Sequence, residues 1–297
     1  MGPLLVLGAG GQLGQEMIDL ARERGIEALG LDRAALDITD AAAVAQALEV
    51  ARPSLILNAA AYTGVDRAEG EPEAAWAANA HGAEAVARGA AKIGAPLVHI
   101  STDYVFDGRK HGAYVENDPI SPLGAYGASK AEGEKRVRAL TPNHVILRTG
   151  WVFGKYGANF LKTVMRLVRD SDRLRIVADQ RGTPTATRDV AEATLAVRTA
   201  LAEGRGNWGT YHFAGGAVTT WHGFAEAIVA EQAKATGRAP AVEPVATRDY
   251  PTAARRPANS ELDSSLFAAT FGYRAEPWRD RMIETVKILL AREGSAQ

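Results

Sequence analysis

The sequence predicts an α/β protein: a doubly wound, Rossmann-like parallel sheet with a smaller α/β substrate lobe. Three observations carry that expectation. Up to Gly150, short apolar runs alternate with helical stretches, the pattern of a parallel sheet covered on both faces. A glycine-rich turn, Gly8-Ala9-Gly10-Gly11-Gln12-Leu13-Gly14, joins the first run to the first helix. After Gly150 the rhythm loosens without any low-complexity linker, so a small lobe built on the first is expected.

Taken in order, Leu4–Leu7 is a short apolar strand ending in glycines. Gln12–Arg24 has helical spacing, with Leu13, Met17, Leu20 and Ala21 on one face. Glu27–Leu31 is the second strand and Ala41–Ala51 the second helix. Leu55–Asn58 and Leu97–Ser101 are further buried strands, separated by the Ala-rich helical stretch Glu73–Ile93. Ala125–Leu140 and His144–Arg148 form the next helix–strand pair, and right-handed crossovers are expected. Beyond Gly150, Asn159–Val168, Asp189–Ala202 and Thr220–Thr236 read as helices, and Leu174–Val177 and Gly209–Phe213 as strands. Pro240–Pro257, rich in Pro and Arg, reads as loop. Residues 1–150 with about 187–214 are expected to form the dinucleotide-binding domain. Residues of about 151–186 with 215–275 would form the substrate-binding lobe, and 276–297 a C-terminal helix.

Composition narrows the function classes. The 297 residues hold 34 Lys+Arg against 35 Asp+Glu, a net charge of −1, so no chain-wide basic field for nucleic acid exists. No cysteine is present, which removes disulfides, thiolate metal sites and cysteine nucleophiles. The six histidines lack metal-ligand spacing, and there is no G-x-S-x-G elbow. The segment Met1–Gly8 lacks a basic region and is too short to span a bilayer; Pro3 and the apolar residues after it argue against myristoylation. A cytoplasmic protein is expected, with no membrane partner.

The glycine turn has the spacing G-x-x-G-x-x-G. Gly8 permits the tight turn, Gly11 lets a pyrophosphate approach the backbone, and Gly14 lets helix pack on strand. The helix N-terminus adds free N–H groups and the positive end of its dipole. Asp32 closes the second strand near the offset expected of a carboxylate that binds an adenosine ribose 2′-OH. Arg33 beside it could meet a 2′-phosphate.

Tyr126-Gly127-Ala128-Ser129-Lys130 sets Tyr and Lys at i and i+4 on one helix face. A phenol titrates near pH 10 and is a poor acid–base group at neutrality. An ammonium about 4 Å away favours phenolate by roughly 4 kcal/mol at an effective dielectric near 20, which would bring Tyr126 toward the working range. Ser101-Thr102-Asp103-Tyr104-Val105-Phe106 falls at the carboxyl end of a strand, where ligand crevices open in such sheets.

On these segments the chain resembles the extended short-chain dehydrogenase/reductase family. The likeness continues through Asn58-Ala59-Ala60-Ala61-Tyr62-Thr63-Gly64-Val65-Asp66, Arg148-Thr149-Gly150-Trp151-Val152-Phe153, Asp179-Gln180-Arg181-Gly182-Thr183-Pro184-Thr185 and Ala254-Arg255-Arg256-Pro257. The last two point to the branch that reduces the C4 ketone of dTDP-4-dehydro-L-rhamnose to dTDP-L-rhamnose. The resemblance implies Tyr126 as proton donor, Lys130 on the nicotinamide ribose and Thr102 on the substrate carbonyl. It places Gly11, Gln12 and Leu13 on the pyrophosphate, Asp32 on the adenosine ribose, and Asp37 and Ile38 beside the adenine. Ala61, Tyr62, Thr63 and Ile100 would line the cofactor. Val65, Asp103, Tyr104 and Trp151 would contact the sugar nucleotide, with Arg255 and Arg256 as diphosphate clamps. The other tryptophans, Trp76, Trp208, Trp221 and Trp278, read as packing residues. NADPH is the implied cofactor, with NADH accepted.

Two alternatives stay open. One is another dTDP-4-keto-6-deoxysugar reductase or epimerase, since the Tyr/Lys pair is shared. The other is a non-catalytic regulatory subunit of S-adenosylmethionine synthetase. Some members of the branch dimerise around a magnesium ion held by glutamates. Here Glu16 matches one such position, but the partner position carries Arg188, which cannot ligate Mg²⁺. Asp189 points about 100° away around the helix. No structural metal is expected. A homodimer remains open, with Glu16 pairing to Arg188 across subunits.

Overall fold

In the computed structural model, which describes residues 2–294, the apolar runs become strands and the amphipathic stretches cover them. The first half runs β1 (Leu4–Leu7), α1 (Gln12–Glu23), β2 (Ala28–Leu31), α2 (Ala41–Ala51), β3 (Leu55–Asn58), α3 (Val65–Gly70), α4 (Pro72–Trp76), α5 (Ala83–Ile93), β4 (Leu97–Thr102), α6 (Ala125–Leu140) and β5 (His144–Thr149). Then follow β6 (Val152–Phe153), α7 (Phe160–Asp170), β7 (Arg173–Val177), β8 (Arg181–Gly182), β9 (Thr185–Ala186) and α8 (Thr187–Ala202). The chain ends with β10 (Gly209–His212), β11 (Thr219–Thr220), α9 (Trp221–Thr236), β12 (Ala241–Val245), α10 (Ser265–Phe271) and α11 (Trp278–Gly294). Met1 and residues 295–297 of the expected C-terminal helix lie outside the described residues.

Six strands form one parallel sheet in the order β10-β5-β4-β3-β1-β2. Alternate residues of each strand feed opposite cores. Leu4, Val6, Leu55, Leu57 and Val98 pack with Met17 and Leu20 of α1 and Val190 of α8. Leu5, Leu7, Ile56 and Leu97 pack with Val44 and Leu48 of α2, Val86 of α5 and Val137 of α6. Burial on both faces explains the unbroken apolar runs. The order reverses at β1, which pairs with both β2 and β3, and a ligand crevice opens at such a switch point.

A separate core forms from Phe153, Leu161, Val164, Phe224, Ile228, Trp278 and Met282, which joins α7, α9 and α11 into the smaller lobe. The C-terminal helix therefore packs within that lobe. Phe267 and Phe271 of α10, expected in the small lobe, join the large-sheet core instead.

One local reading is refined and one corrected. Glu73–Ile93 is helical as expected, with a π-helical stretch, Ala77–Gly82, between α4 and α5. Pro240–Pro257 is not all loop: β12 pairs in parallel with β7, register Ala241 to Arg173 through Val245 to Val177. Pro244 fits because a strand of this two-stranded sheet has a free edge, where the missing N–H costs nothing. Among the described residues, no helix is long and apolar enough to cross a membrane.

Candidate active site

The glycine turn is shaped by close approach. Gly8 adopts φ +78°, and a Cβ there would lie 2.7 Å from the Ala60 backbone. At Gly14 a Cβ would lie 2.3 Å from the Gly8 carbonyl oxygen, so α1 can start this close to β1 only with glycine. Gly11 has more room, with only the Gly8 oxygen nearby, at 3.2 Å. No side chain caps α1, which leaves its first N–H groups for an anion. The turn and the uncapped helix fit a dinucleotide pyrophosphate. Gln12 is braced by Asn159, which donates to its Oε1 at 2.9 Å.

A cavity of about 1030 Å³ runs from this turn between the two lobes. Its wall includes Gly11, Gln12, Leu13, Ala61, Thr63, Val65, Ile100, Thr102, Asp103, Tyr104, Tyr126, Lys130, Trp151 and Arg256. The structure thus brings together residues from the ends of β1, β3, β4 and β5 and the start of α6.

α6 owes its position to three contacts. The Glu69 carboxylate accepts from the Ala125 N–H at 2.8 Å and caps the helix. A Cβ at Gly127 would lie 2.2 Å from the Tyr104 carbonyl, so glycine lets the helix press onto the loop after β4. Asn79, thrown inward by the π-helical stretch, donates to Ser129 Oγ at 3.0 Å. The same Asn79 accepts from the Tyr62 N–H at 2.9 Å and donates to its carbonyl at 3.0 Å. One buried amide therefore ties the loop after β3 to α6. The sequence reading missed it; the only signal was an Asn within an Ala-rich helix. π-helical turns recur at functional sites.

The electrostatics of the Tyr126–Lys130 pair differ from expectation. Lys130 Nζ donates to the Ile100 carbonyl at 2.5 Å. Burial pulls this ammonium down to about 8, against the pull of Glu134 one turn on. The Tyr126 phenol is not lowered: desolvation is the largest influence and pushes it up to about 12, although the Thr102 hydroxyl pulls it down. Thr102 Oγ1 donates to Asp103 Oδ1 at 2.9 Å and accepts from the Tyr104 N–H at 3.1 Å. Burial raises the Asp103 carboxyl to about 6, and its Oδ2 has no partner. Tyr104 meets Tyr126 edge to face, with ring centroids 5.7 Å apart.

Other expected residues sit outside the cavity wall. Asp32 ends β2 and accepts the Ala34 and Ala35 N–H groups on Oδ1, at 3.0 and 2.9 Å. Arg33 is exposed and approaches Asp37 Oδ2 at 3.4 Å. Ile38 is buried, and a Cβ on Gly82 at the end of the π-helical stretch would lie 2.7 Å from its Cδ1, so its side chain packs in the core. Tyr62 donates its hydroxyl to Glu71 at 2.5 Å. Arg255 is exposed, and of the two arginines only Arg256 lines the cavity. Trp221, read as packing alone, also lines it and stacks on Trp151 with centroids 3.5 Å apart and planes within 3°. Glu16 pairs with Arg188 within the chain, at 3.8 Å; Lys155 Nζ is closer, at 3.3 Å. α8 packs alongside α1, which puts the two side chains on facing surfaces.

A doubly wound sheet with Thr, Tyr and Lys at its carboxyl edge and a glycine cradle beside them defines a short-chain dehydrogenase/reductase of the extended type. The family model described as RmlD substrate binding domain matches residues 2–291, and the chain belongs to that family. A dTDP-4-dehydrorhamnose reductase of Aggregatibacter actinomycetemcomitans is 44% identical over 283 residues, 94% of this chain and 96% of that protein. Among solved structures, a dTDP-4-dehydrorhamnose reductase from Clostridium acetobutylicum superposes with a TM-score of 0.90 at 36% identity, covering 97% of this chain and 99% of that one. A dTDP-4-dehydrorhamnose reductase from Bacillus anthracis, in complex with NADP, has a TM-score of 0.89 at 34% identity, covering 96% and 98%.

Proposed function

We propose that this protein reduces the C4 ketone of dTDP-4-dehydro-L-rhamnose to dTDP-L-rhamnose, the last step of dTDP-rhamnose synthesis, in the cytoplasm. The observation that carries the reading is the convergence of Thr102, Tyr126 and Lys130 on one cavity that begins at the glycine turn. The named reductase relatives support it, and so does Asp103 being followed by Tyr104 and not by the Glu of a dehydratase acid–base pair.

The cofactor, when bound, supplies the hydride. Gly11, Gln12 and Leu13 would hold its pyrophosphate, Asp32 and Arg33 its adenosine ribose end, and Lys130 its nicotinamide ribose. The Thr102 hydroxyl would turn its one proton from Asp103 Oδ1 to the substrate carbonyl and polarise it. Tyr126 gives its proton to the oxygen as negative charge develops there. A phenol pushed up to about 12 is fully protonated at neutral pH, which is the form a proton donor needs. The buried carboxyl of Asp103 and the rings of Tyr104, Trp151 and Trp221 would form the sugar pocket, with the smaller lobe holding the nucleotide.

The test is incubation with dTDP-4-dehydro-6-deoxy sugars, with and without a 3,5-epimerase, following NADPH loss and product configuration. Turnover only after epimerisation, yielding the L-rhamno product, is expected. Turnover of the unepimerised sugar alone would assign a different 4-keto-sugar reductase.

A further inference from the structure

The strap that closes the cavity mouth is tied to the large lobe through one carboxylate. Asp66, in the first turn of α3, accepts the Ala254 N–H at 3.1 Å on Oδ1. Arg256 donates to the same carboxylate through two nitrogens, Nη1 to Oδ1 at 3.2 Å and Nη2 to Oδ2 at 2.7 Å. The bidentate fork fixes the guanidinium plane as a single contact would not. Asp66, Arg256, Tyr250 and Thr252 all line the cavity. Burial raises the Tyr104 phenol, and the guanidinium charge pulls it down. Tyr104 in turn packs edge-on against Tyr126. Asp66 is thus one end of a contact series that runs through Arg256 and Tyr104 to the proton donor.

We propose that Asp66 is a positioning residue: it seats Arg256 at the mouth of the cavity and so sets Tyr104 and the 250–257 strap for the nucleotide diphosphate. The inference rests on the sugar-nucleotide reading given above and extends it to a residue that acts through another. Energetic scale separates this role from a structural one. The Asp66 side chain is 44% exposed, and ion pairs this wet add little to folding stability. Its effect therefore falls on the geometry of Arg256 and on ligand affinity. With the carboxylate gone, the Ala254 N–H also loses its acceptor on α3.

The experiment measures dTDP binding by calorimetry in the wild type, Asp66→Asn, Arg256→Met, the double variant and Asp66→Glu. One lost charge-assisted contact corresponds to a loss of about tenfold. Asp66→Asn and Arg256→Met are each expected to weaken dTDP by that factor, and the double variant no more than either. Asp66→Glu should recover part of the loss. KM for the sugar nucleotide should rise by the same factor, with a smaller change in kcat. Tighter binding by Asp66→Asn would mean that the carboxylate only competes with the diphosphate, and would overturn the proposal. Additive losses in the double variant would overturn it as well. Limited trypsin cleavage after the exposed Arg255 reads the strap with no nucleotide present, and should quicken in Asp66→Asn. Faster cleavage in a protein that takes no dTDP would sink the sugar-nucleotide reading and still support the anchoring by Asp66. Unchanged cleavage would contradict that anchoring.

Discussion

The ammonium of Lys130 is held by the backbone carbonyl of Ile100, 2.5 Å away, so the lysine is anchored to β4 one residue from Ser101 and two from Thr102. The contact places the cation under the cofactor crevice. Burial is the largest influence on its charge.

A pH dependence follows. Lys130 is pulled down to about 8, so its charge is present below that pH and lost above it. kcat/KM, which reports the free enzyme, should fall above about pH 8. Lys130→Met should lose that limb and weaken both turnover and cofactor affinity. A pH profile of kcat/KM with parallel cofactor titration checks it; damage confined to turnover would count against the ribose contact.

Cofactor choice turns on Asp32 and Arg33. Asp32 favours a free 2′-OH, whereas the exposed Arg33 is paired with Asp37 at 3.4 Å and can swing to a 2′-phosphate. Use of both cofactors with a modest NADPH preference is expected. Arg33→Ala should cost NADPH about tenfold and NADH little, the scale of one charge-assisted contact. The kcat/KM ratio is the measurement, and a wild-type preference of a hundredfold or more for NADH would refute the assignment.

Glu16 already has cations of its own chain, Lys155 at 3.3 Å and Arg188 at 3.8 Å, and Thr187 donates to its other oxygen at 3.3 Å. Two positive charges on this carboxylate oppose Mg²⁺. Sedimentation and activity should be the same in EDTA as in magnesium. A metal-dependent dimer would contradict the pairing.

Asp103 carries a stability cost with a definite sign. Its carboxyl rises from 3.8 to about 6 because burial disfavours the charged form. Folding stability is therefore highest, for this group, below its unfolded value and is lost as pH rises through about 6. The loss is on the order of 3 kcal/mol by neutral pH. Asp103→Asn should remove that dependence, so its stability relative to the wild type should grow between pH 4 and 7.5. Urea unfolding at the two pH values measures it, and a constant difference would show that Asp103 stays neutral or solvated. Turnover should fall in the same variant.

Much of the fold was legible because the sheet is buried on both faces. Leu4–Leu7 is an uninterrupted apolar run and Leu55–Asn58 an apolar run closed by Asn58, and their bounds match β1 and β3. The glycine turn was legible because steric demand at Gly8 and Gly14 leaves no other residue type. Tertiary effects were not. The π-helical stretch Ala77–Gly82 exists to deliver Asn79 to Tyr62 and Ser129, contacts far apart in sequence. β12 has Pro244 in its middle and holds only by pairing with β7. Ile38 fills the space that Gly82 leaves, a contact that the spacing of the sequence does not show. The Tyr126 phenol was expected to fall because Lys130 is four residues away, but helix spacing alone does not aim an ammonium. Ile100 claims it, and burial decides the phenol.

The most direct measurement is turnover of dTDP-4-dehydro-L-rhamnose with saturating NADPH by the wild type and by Tyr126→Phe, with cofactor affinity measured alongside. The phenol is the proposed proton donor, and general acid catalysis contributes roughly 10²–10⁴-fold. The wild type should form dTDP-L-rhamnose, and the Phe variant should lose turnover by that factor while still binding NADPH, since the ring can pack as before. Near-wild-type turnover by Tyr126→Phe at saturating substrate, or no turnover by the wild type, would contradict carbonyl reduction through Tyr126.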